Sequence, residues 1–413
     1  MSGKAELTIK FLIVGGGIAG LACAIALRRV GHHVVVLEQY SDIDILEMLH
    51  GGIRLPPNAS KVLFHWGLER ALRQVSMTSS AIEVEIYETG GFIGMHLWEE
   101  EVLRETRGDF LFLHRASLRK VLYDTAIAAG AEVRAGTTVV SVSGDGPRVK
   151  LTTGETLLAD VIVGADGHSS VVQQAIVGKD VLDAAPYQSL FYDTTIPGAL
   201  MRADPQLEPF FKQPVETMFI WLGNNRSAVA FRMGAKDEFA LHMWVRPMKK
   251  GLSDDDDGWE GGLDLKEMRQ QLGECEPRLL KMTKLAATPA CVQVKMVPPI
   301  EDWVDDHGRM AGSLQGGAMA VEDAAIFGKI AAPASNTIRR CAPGLLKGKA
   351  FFGISEASEQ WEQLKELWEY DAEDEADDWW VKWGLLRERA KQRLLDMEAE
   401  INTARLRSLR MRA

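Results

Sequence analysis

Apolar positions along the first forty residues fall into a strand, turn, helix, strand order. Ile9 to Val14 is a largely apolar run, Gly15 to Gly20 is glycine-rich, Leu21 to Val30 has helical character, and Val34 to Leu37 is a second β-branched run. Neither strand alternates apolar with polar residues, which is the pattern of parallel strands covered on both faces. The segment therefore predicts a parallel βαβ unit. From Ala81 to Tyr87 the pattern changes: Ile82, Val84 and Ile86 alternate with Glu83 and Glu85, as on a half-exposed strand. Helical periodicity returns over Ala116 to Ala129, and Val133, Thr138 to Val142, Val149 to Leu151 and Leu157 to Val163 supply further strands. Thr217 to Leu222, Ala228 to Met233 and Glu238 to Val245 are strand-like pieces of a second region.

These switches predict a discontinuous organisation. A nucleotide-binding domain is expected over residues 1–80, 111–181 and 291–332, the last piece shortened, with an excursion over 81–110 and a substrate domain over 182–290. Residues 333–413 are expected to form a helical tail, in which Trp361, Trp368, Trp379, Trp380 and Trp383 are interleaved with acids ahead of an Arg-rich segment from Leu385 to Arg412. The fold class is thus α/β: a doubly wound Rossmann-like domain, a mostly antiparallel substrate domain and a helical C-terminal tail.

Composition narrows the function classes. A chain of 413 residues with a formal net charge of -11 lacks the basic surface that phosphate neutralisation requires, so nucleic acid is not an expected partner. The longest apolar stretch, Phe11 to Leu27, is broken by glycines and ends in Arg28 and Arg29, so no membrane span is expected. Cys23, Cys275, Cys291 and Cys341 show no paired spacing, which disfavours a disulfide framework or a zinc ribbon and suits a reducing, cytoplasmic setting. The acidic run Asp254 to Asp257 is expected to be a solvated loop, since adjacent carboxylates repel.

Two turns carry candidate chemistry. In the first, Gly15 permits a tight turn, Gly17 allows close approach of a pyrophosphate, and Gly20 lets helix and strand pack closely. Phosphates would sit at the helix N-terminus, and Glu38, ending the second strand, is placed to accept hydrogen bonds from a ribose diol. In the second, an apolar strand from Asp160 ends at Gly164-Ala165-Asp166-Gly167, presenting a carboxylate among small residues. Alone, that segment reads equally as an ordinary strand-end turn.

Four ordered blocks, FLIVGGGIAGLACAIALRRVGHHVVVLEQ, GGIRLPPNASKVLFHWGL, LHRASLRKVLYDTA and DVIVGADGHSSVV, resemble the flavin-dependent aromatic hydroxylases, the salicylate hydroxylase-like monooxygenases in particular; they span residues 11–172. The resemblance implies that Gly15, Gly17, Ile18, Ala19, Gly20 and Glu38 hold the ADP half of FAD. It also implies that Arg54 contacts the cofactor, that Arg115 lies near the ribityl and phosphate portion, and that Asp166 approaches the pyrophosphate and assists the nicotinamide cofactor. A further block, QGGAMAVEDAAIFGKI, opens with Gly316 and Gly317, which in similar enzymes begin a helix whose positive end faces the N1 and C2 carbonyl region of the flavin. The implied reaction takes NADH or NADPH and O2 as co-substrates and hydroxylates a small aromatic substrate. Arg232 is a candidate partner for a substrate carboxylate.

The chain departs from the family pattern in three places. Only Met310-Ala-Gly-Ser-Leu314 separates Gly308-Arg309 from Gln315-Gly316, so the Gly-Asp pair whose aspartate normally bonds the ribityl chain is missing. The helix after the VEDAA segment is cut short, and Gln173 stands where relatives usually have arginine. Alternatives to hydroxylation are therefore another flavin-linked reaction on the same scaffold, or a relative that binds without turnover.

Overall fold

The computed structural model describes residues 8–41, 51–98, 103–104, 106–142, 147–167, 170–177, 187–234, 236–246, 258–262, 265–295, 309–311, 320–325, 327 and 371–374. Gly316, Gly317, the aspartate run at 254–257 and all but four residues of the expected helical tail lie outside them.

In chain order the elements are β1 (Lys10–Val14), α1 (Ile18–Arg29), β2 (His33–Leu37), β3 (Gly52–Leu55), α2 (Pro57–His65), α3 (Glu69–Val75), β4 (Ser76–Thr78), β5 (Ala81–Ile86), β6 (Phe92–Leu97), β7 (Leu111–His114) and α4 (Arg115–Ala128). There follow β8 (Glu132–Arg134), β9 (Val139–Val142), β10 (Arg148–Leu151), β11 (Thr156–Leu158), β12 (Val161–Gly164), α5 (Val171–Val177), β13 (Tyr187–Pro197) and α6 (Gly198–Ala203). The described elements end with β14 (Thr217–Gly223), β15 (Arg226–Met233), β16 (Glu238–Val245), β17 (Gly258–Gly262), α7 (Leu265–Leu272), α8 (Pro277–Leu285), β18 (Ala290–Lys295) and β19 (Arg309–Ala311).

A parallel sheet of order β19-β12-β1-β2-β8 forms the first layer. The central strand explains its own sequence: Phe11 and Ile13 join one core with α1 and α4, while Leu12 and Val14 join another with Val139, Val149 and Val172. Both faces are covered, so an alternating pattern would have left polar groups buried. The short strand β19 extends this sheet, pairing Arg309 to Ala311 with Ile162 to Gly164. Ala320, Val321, Ala324 and Ala325 of the downstream helical stretch are buried in the same core as α1.

The second layer is an eight-stranded sheet of order β17-β18-β13-β16-β15-β14-β5-β6, antiparallel except where β14 runs parallel to β5. Its two faces bury different sets. Phe219, Trp221, Leu241 and Met243 pack with Met268, Leu279 and Met282 of α7 and α8. Met218, Val229, Phe231 and Ala240 turn the other way, against Phe110 and Phe112 at β7. A small antiparallel sheet, β3-β7-β4, thus lies between the two layers, bringing β3 and β7 from the nucleotide side to the face of the large sheet. The expected doubly wound sheet and mostly antiparallel second sheet are what the chain forms.

Candidate functional site

Strand register creates the first half of the site. Val14 stands level with Gly164 on one side and with Leu37 on the other, so the turns after β1, β12 and β2 emerge together. This is the point where neighbouring connections leave the sheet in opposite directions, the usual place for a ligand crevice in such folds. Gly15 has φ +102°, and a Cβ there would lie 2.2 Å from the Ala165 carbonyl oxygen. A Cβ on Gly20 would lie 1.9 Å from the Gly15 carbonyl oxygen. Both positions therefore demand glycine for backbone reasons. Gly17 differs: a Cβ there would meet no atom within 4 Å, so it would enter only the open space before α1.

The N-terminus of α1 has no side-chain cap and no acidic residue in its first turn. Helix N-termini leave backbone N–H groups without intrahelical acceptors, and Ile18 and Ala19 supply two of them here. An anion such as a pyrophosphate fits the open space at Gly17, attracted by those donors and the helix dipole.

Glu38 is buried beside this corner and accepts from Gly16 N–H through Oε2 at 2.9 Å and from Tyr40 N–H through Oε1 at 3.0 Å. Carboxylate oxygens can accept more than one hydrogen bond each, and these two orient the group toward the corner. Arg119, which sequence reasoning did not single out, donates through Nε to the Gly16 carbonyl at 3.0 Å and is buried. The available signal was helical spacing, because Arg119 follows Arg115 by four residues and shares its face of α4.

Asp166 lies beside the same corner, since Ala165 N–H donates to Val14 O. Its carboxylate caps α5, with Oδ2 accepting from Val171 N–H at 2.8 Å and Val172 N–H at 3.3 Å and Oδ1 accepting from the Ser170 hydroxyl. Gln173 joins the same cap, donating its backbone N–H to Ser170 Oγ at 2.9 Å.

The second half of the site lies at the seam between layers. Arg115 begins α4, but its guanidinium turns to the large sheet, donating to Asp193 Oδ2 at 2.9 Å and to Gly52 O at 3.3 Å. Asp193, fully buried on β13, also accepts from Gly52 N–H at 3.3 Å and has His242 Nε2 3.3 Å from Oδ1. Gly51, at φ +88°, leaves room for this carboxylate; a Cβ there would lie 2.0 Å from Asp193 Oδ1. Burial alone would raise the Asp193 carboxyl, yet His242 and Arg115 facing it hold it below the ordinary carboxylate value. Burial, reinforced by Arg54 and Arg115, holds the His242 imidazole below its usual value against the pull of Asp193.

Arg54, on β3, also faces the large sheet. Its guanidinium lies 5.8 Å from the Trp244 ring centroid and donates through Nη1 to Met218 Sδ at 3.7 Å. Burial lowers its pKa to about 10, partly countered by Asp193. Phe191 stacks with Trp244 at 4.9 Å, and Phe231 meets His242 edge-on at 5.2 Å, so one aromatic wall surrounds the cluster. Arg232 is elsewhere: it follows Phe231 by one residue on β15, projects from the opposite face, pairs with Glu216 at 3.1 Å and lies 5.8 Å from the Phe211 ring. It is not part of this wall, and the expected pairing of Arg232 with a substrate is corrected by strand parity.

Among the described residues no group of three or more His, Cys, Asp or Glu side chains is placed to hold a metal, and no helix is long and apolar enough to cross a membrane.

The model of the FAD binding domain family matches residues 8–251. The chain is 27% identical over 342 residues to the FAD-dependent monooxygenase OpS4 of Beauveria bassiana (strain ARSEF 2860), covering 79% of this chain and 78% of that protein. It is 25% identical over 336 residues to the 3-hydroxybenzoate 6-hydroxylase of Klebsiella oxytoca, covering 78% of this chain and 79% of the relative. Among solved structures, that of CtdE in complex with FAD and substrate 4 shares the fold with a TM-score of 0.72 at 17% identity, over 92% of this chain and 100% of that one.

Proposed function

We propose, since the chain belongs to the FAD binding domain family and is an FAD-dependent monooxygenase, that it hydroxylates a small aromatic substrate with NADH or NADPH and O2. The observation that carries this reading is the seam itself, where half-buried Trp244, Phe191 and Arg54 face one another between the nucleotide layer and the second sheet. An aromatic wall with a cation suits a planar, electron-rich ring. The 3-hydroxybenzoate 6-hydroxylase of Klebsiella oxytoca, by its name, acts on such a ring.

The residues of the first corner fit FAD. Backbone N–H groups at Ile18 and Ala19, with the space left by Gly15, Gly17 and Gly20, would hold the pyrophosphate. Glu38, oriented by Gly16 and Tyr40, would accept from the ribose diol. Arg119 would add positive charge beside the phosphates. Arg115 and Asp166 would act from behind the cofactor, one holding the large sheet through Asp193 and the other fixing the turn after β12 through α5. Gly316 and Gly317, by their sequence, would open the helix facing the flavin ring.

FAD, when bound, supplies the two-electron store that accepts hydride from the nicotinamide and activates O2. One oxygen atom enters the ring in place of a hydrogen, the other leaves as water, and NAD(P)H is oxidised with uptake of one proton. The protein groups exclude water, place the ring and hold charge. A second reading, a protein that binds FAD without turnover, is favoured by the absent Gly-Asp pair between Arg309 and Gln315.

Turnover under 18O2 with NADPH or NADH, followed by mass spectrometry of a panel of hydroxybenzoates, separates the two. Incorporation of one labelled atom into the product supports hydroxylation. Bound FAD with nicotinamide oxidation that no aromatic accelerates supports the second reading.

A further inference from the structure

We propose that Arg54 is the anchor for an anionic group on the substrate, a carboxylate, with the aromatic ring lying against Trp244 and Phe191. This rests on the reading of the chain as an aromatic monooxygenase and assigns the recognition element that reading leaves open.

Arg54 and Arg115 are two cations facing one buried carboxylate, and Asp193 is committed to Arg115 and to the Gly52 N–H. The imidazoles of His242 and His114, which also feel Asp193, are both held below their usual value by burial. Asp193 is thus bonded by Arg115, whereas among the described residues no carboxylate lies within salt-bridge distance of the Arg54 guanidinium. Among the described residues, the only hydrogen bond of the Arg54 guanidinium is to the sulfur of Met218, a weak acceptor. A guanidinium has five N–H donors in a planar fork that matches a carboxylate. Among the described residues, four of the five have no acceptor.

The direction of the Arg54 side chain agrees with this. Arg54 sits on β3, a strand that belongs to neither large sheet, and each side chain it addresses comes from the second sheet: Met218 on β14, Trp244 on β16 and Asp193 on β13. At the glycine corner the arginine beside Gly16 is Arg119 instead. The resemblance assigns Arg54 to the cofactor, whereas its partners place it on the substrate side of the seam.

The Arg54 guanidinium is also within reach of a ligand. Arg54, Trp244 and Phe191 are half-buried rather than closed, while Phe231, His242 and Asp193 behind them are buried. The cation thus lies at the rim of an aromatic surface with a closed floor. Arg232, the other arginine on the neighbouring strands of this sheet that was a candidate for this task, projects from the far face and is paired with Glu216.

The test is isothermal titration of the FAD-loaded full chain with 2-hydroxybenzoate and with its neutral counterpart 2-hydroxybenzamide. The wild-type protein is expected to bind the carboxylate about tenfold or more tightly than the amide. Arg54→Gln is expected to abolish that preference while binding the amide as wild type does, and Arg54→Lys to restore part of it, since an ammonium keeps charge without the fork. Equal affinity of the wild-type protein for the two probes, binding of neither, or a preference that survives Arg54→Gln overturns the proposal. The wild-type comparison needs no variant to fold. A preference without 18O incorporation would retire the hydroxylation reading alone, whereas labelled product from neutral rings with no preference would retire the Arg54 assignment alone.

Discussion

Gly20 illustrates how a single missing atom sets the geometry of a ligand site. Its Cα approaches the Gly15 carbonyl so closely that a Cβ would sit 1.9 Å from that oxygen, and Ile13 Cγ2 waits 3.2 Å away on the other side. No side chain can be accommodated without moving α1 off β1. Gly20→Val is therefore expected to weaken FAD binding about a hundredfold and to lower stability by roughly 2 kcal/mol, read by FAD titration and urea unfolding. Gly17→Ala makes a useful contrast. Its Cβ would meet no protein atom within 4 Å, so stability is expected to stay near wild type while FAD affinity falls. A Gly17→Ala protein as unstable as Gly20→Val would show that the space at Gly17 is not reserved for a ligand.

At the scale of elements, the readable parts of the chain were those whose chemistry is local. The βαβ unit announced itself because Phe11 to Val14 is apolar on both faces and the glycines sit at fixed spacing between strand and helix. Strand β13 did not, although it lies within the second sheet and carries Asp193. Its residues include Ser189, Asp193, Thr194 and Thr195, and it divides them between two environments, with Leu190 and Tyr192 in one core and Phe191 and Asp193 at the seam. Its apolar face, Leu190, Tyr192 and Ile196, is interrupted by Thr194, and the other face mixes Phe191 with polar residues, so the alternation does not stand out in the sequence. Arg119 was missed because its partner, Gly16, is 103 positions away in sequence. Asp166 was legible as a carboxylate at a strand end, but its task of capping α5 depends on Ser170, Val171 and Val172 folding back onto it. For Arg232, strand alternation indicated that it opposes Phe231, but which face would meet the nucleotide layer was settled only by packing.

The helical stretch at 320–325 carries a titration that belongs to this scale. Burial raises Glu322 to about 7 and Asp323 to about 8, with Glu322 adding repulsion to Asp323; Asn58 donates to Glu322 Oε1 at 2.8 Å. The folded-state value of Asp323 lies above its ordinary 3.8, so the unfolded chain releases that proton first as pH rises. The sign follows: the stability that Asp323 contributes is lost as pH climbs from about 4 to about 8 and regained on acidification through that window. Asp323→Asn, which mimics the protonated form, is expected to raise the thermal midpoint at pH 8 and to do so much less at pH 5. A gain independent of pH would show that Asp323 is ionised in the folded protein.

For the whole molecule, the decisive contact is the one that joins the layers. Arg115 and Asp193 meet across the seam; Gly51 has no Cβ to keep that carboxylate away, and Gly52 has none to collide with Ala240 and Phe231 of the large sheet. Removing one partner of a buried pair leaves the other uncompensated, so Asp193→Asn is expected to cost roughly 3 kcal/mol in urea unfolding. Because Asp193 is held below its ordinary value, its contribution is present above pH 3.8 and disappears as pH falls through the lower folded-state value, so the loss caused by Asp193→Asn is largest at neutral pH. A variant as stable as wild type at neutral pH would mean that the layers are held by apolar packing alone.

The central claim is that the corner after β1 holds FAD even though the segment from Arg309 to Gln315 lacks the Gly-Asp pair. Equilibrium titration of the purified full-length protein with FAD, followed by quenching of flavin fluorescence, tests it most directly. Saturation at one FAD per chain, lost in Gly20→Val, is the expected result. A folded wild-type protein that leaves flavin fluorescence unchanged would contradict the account.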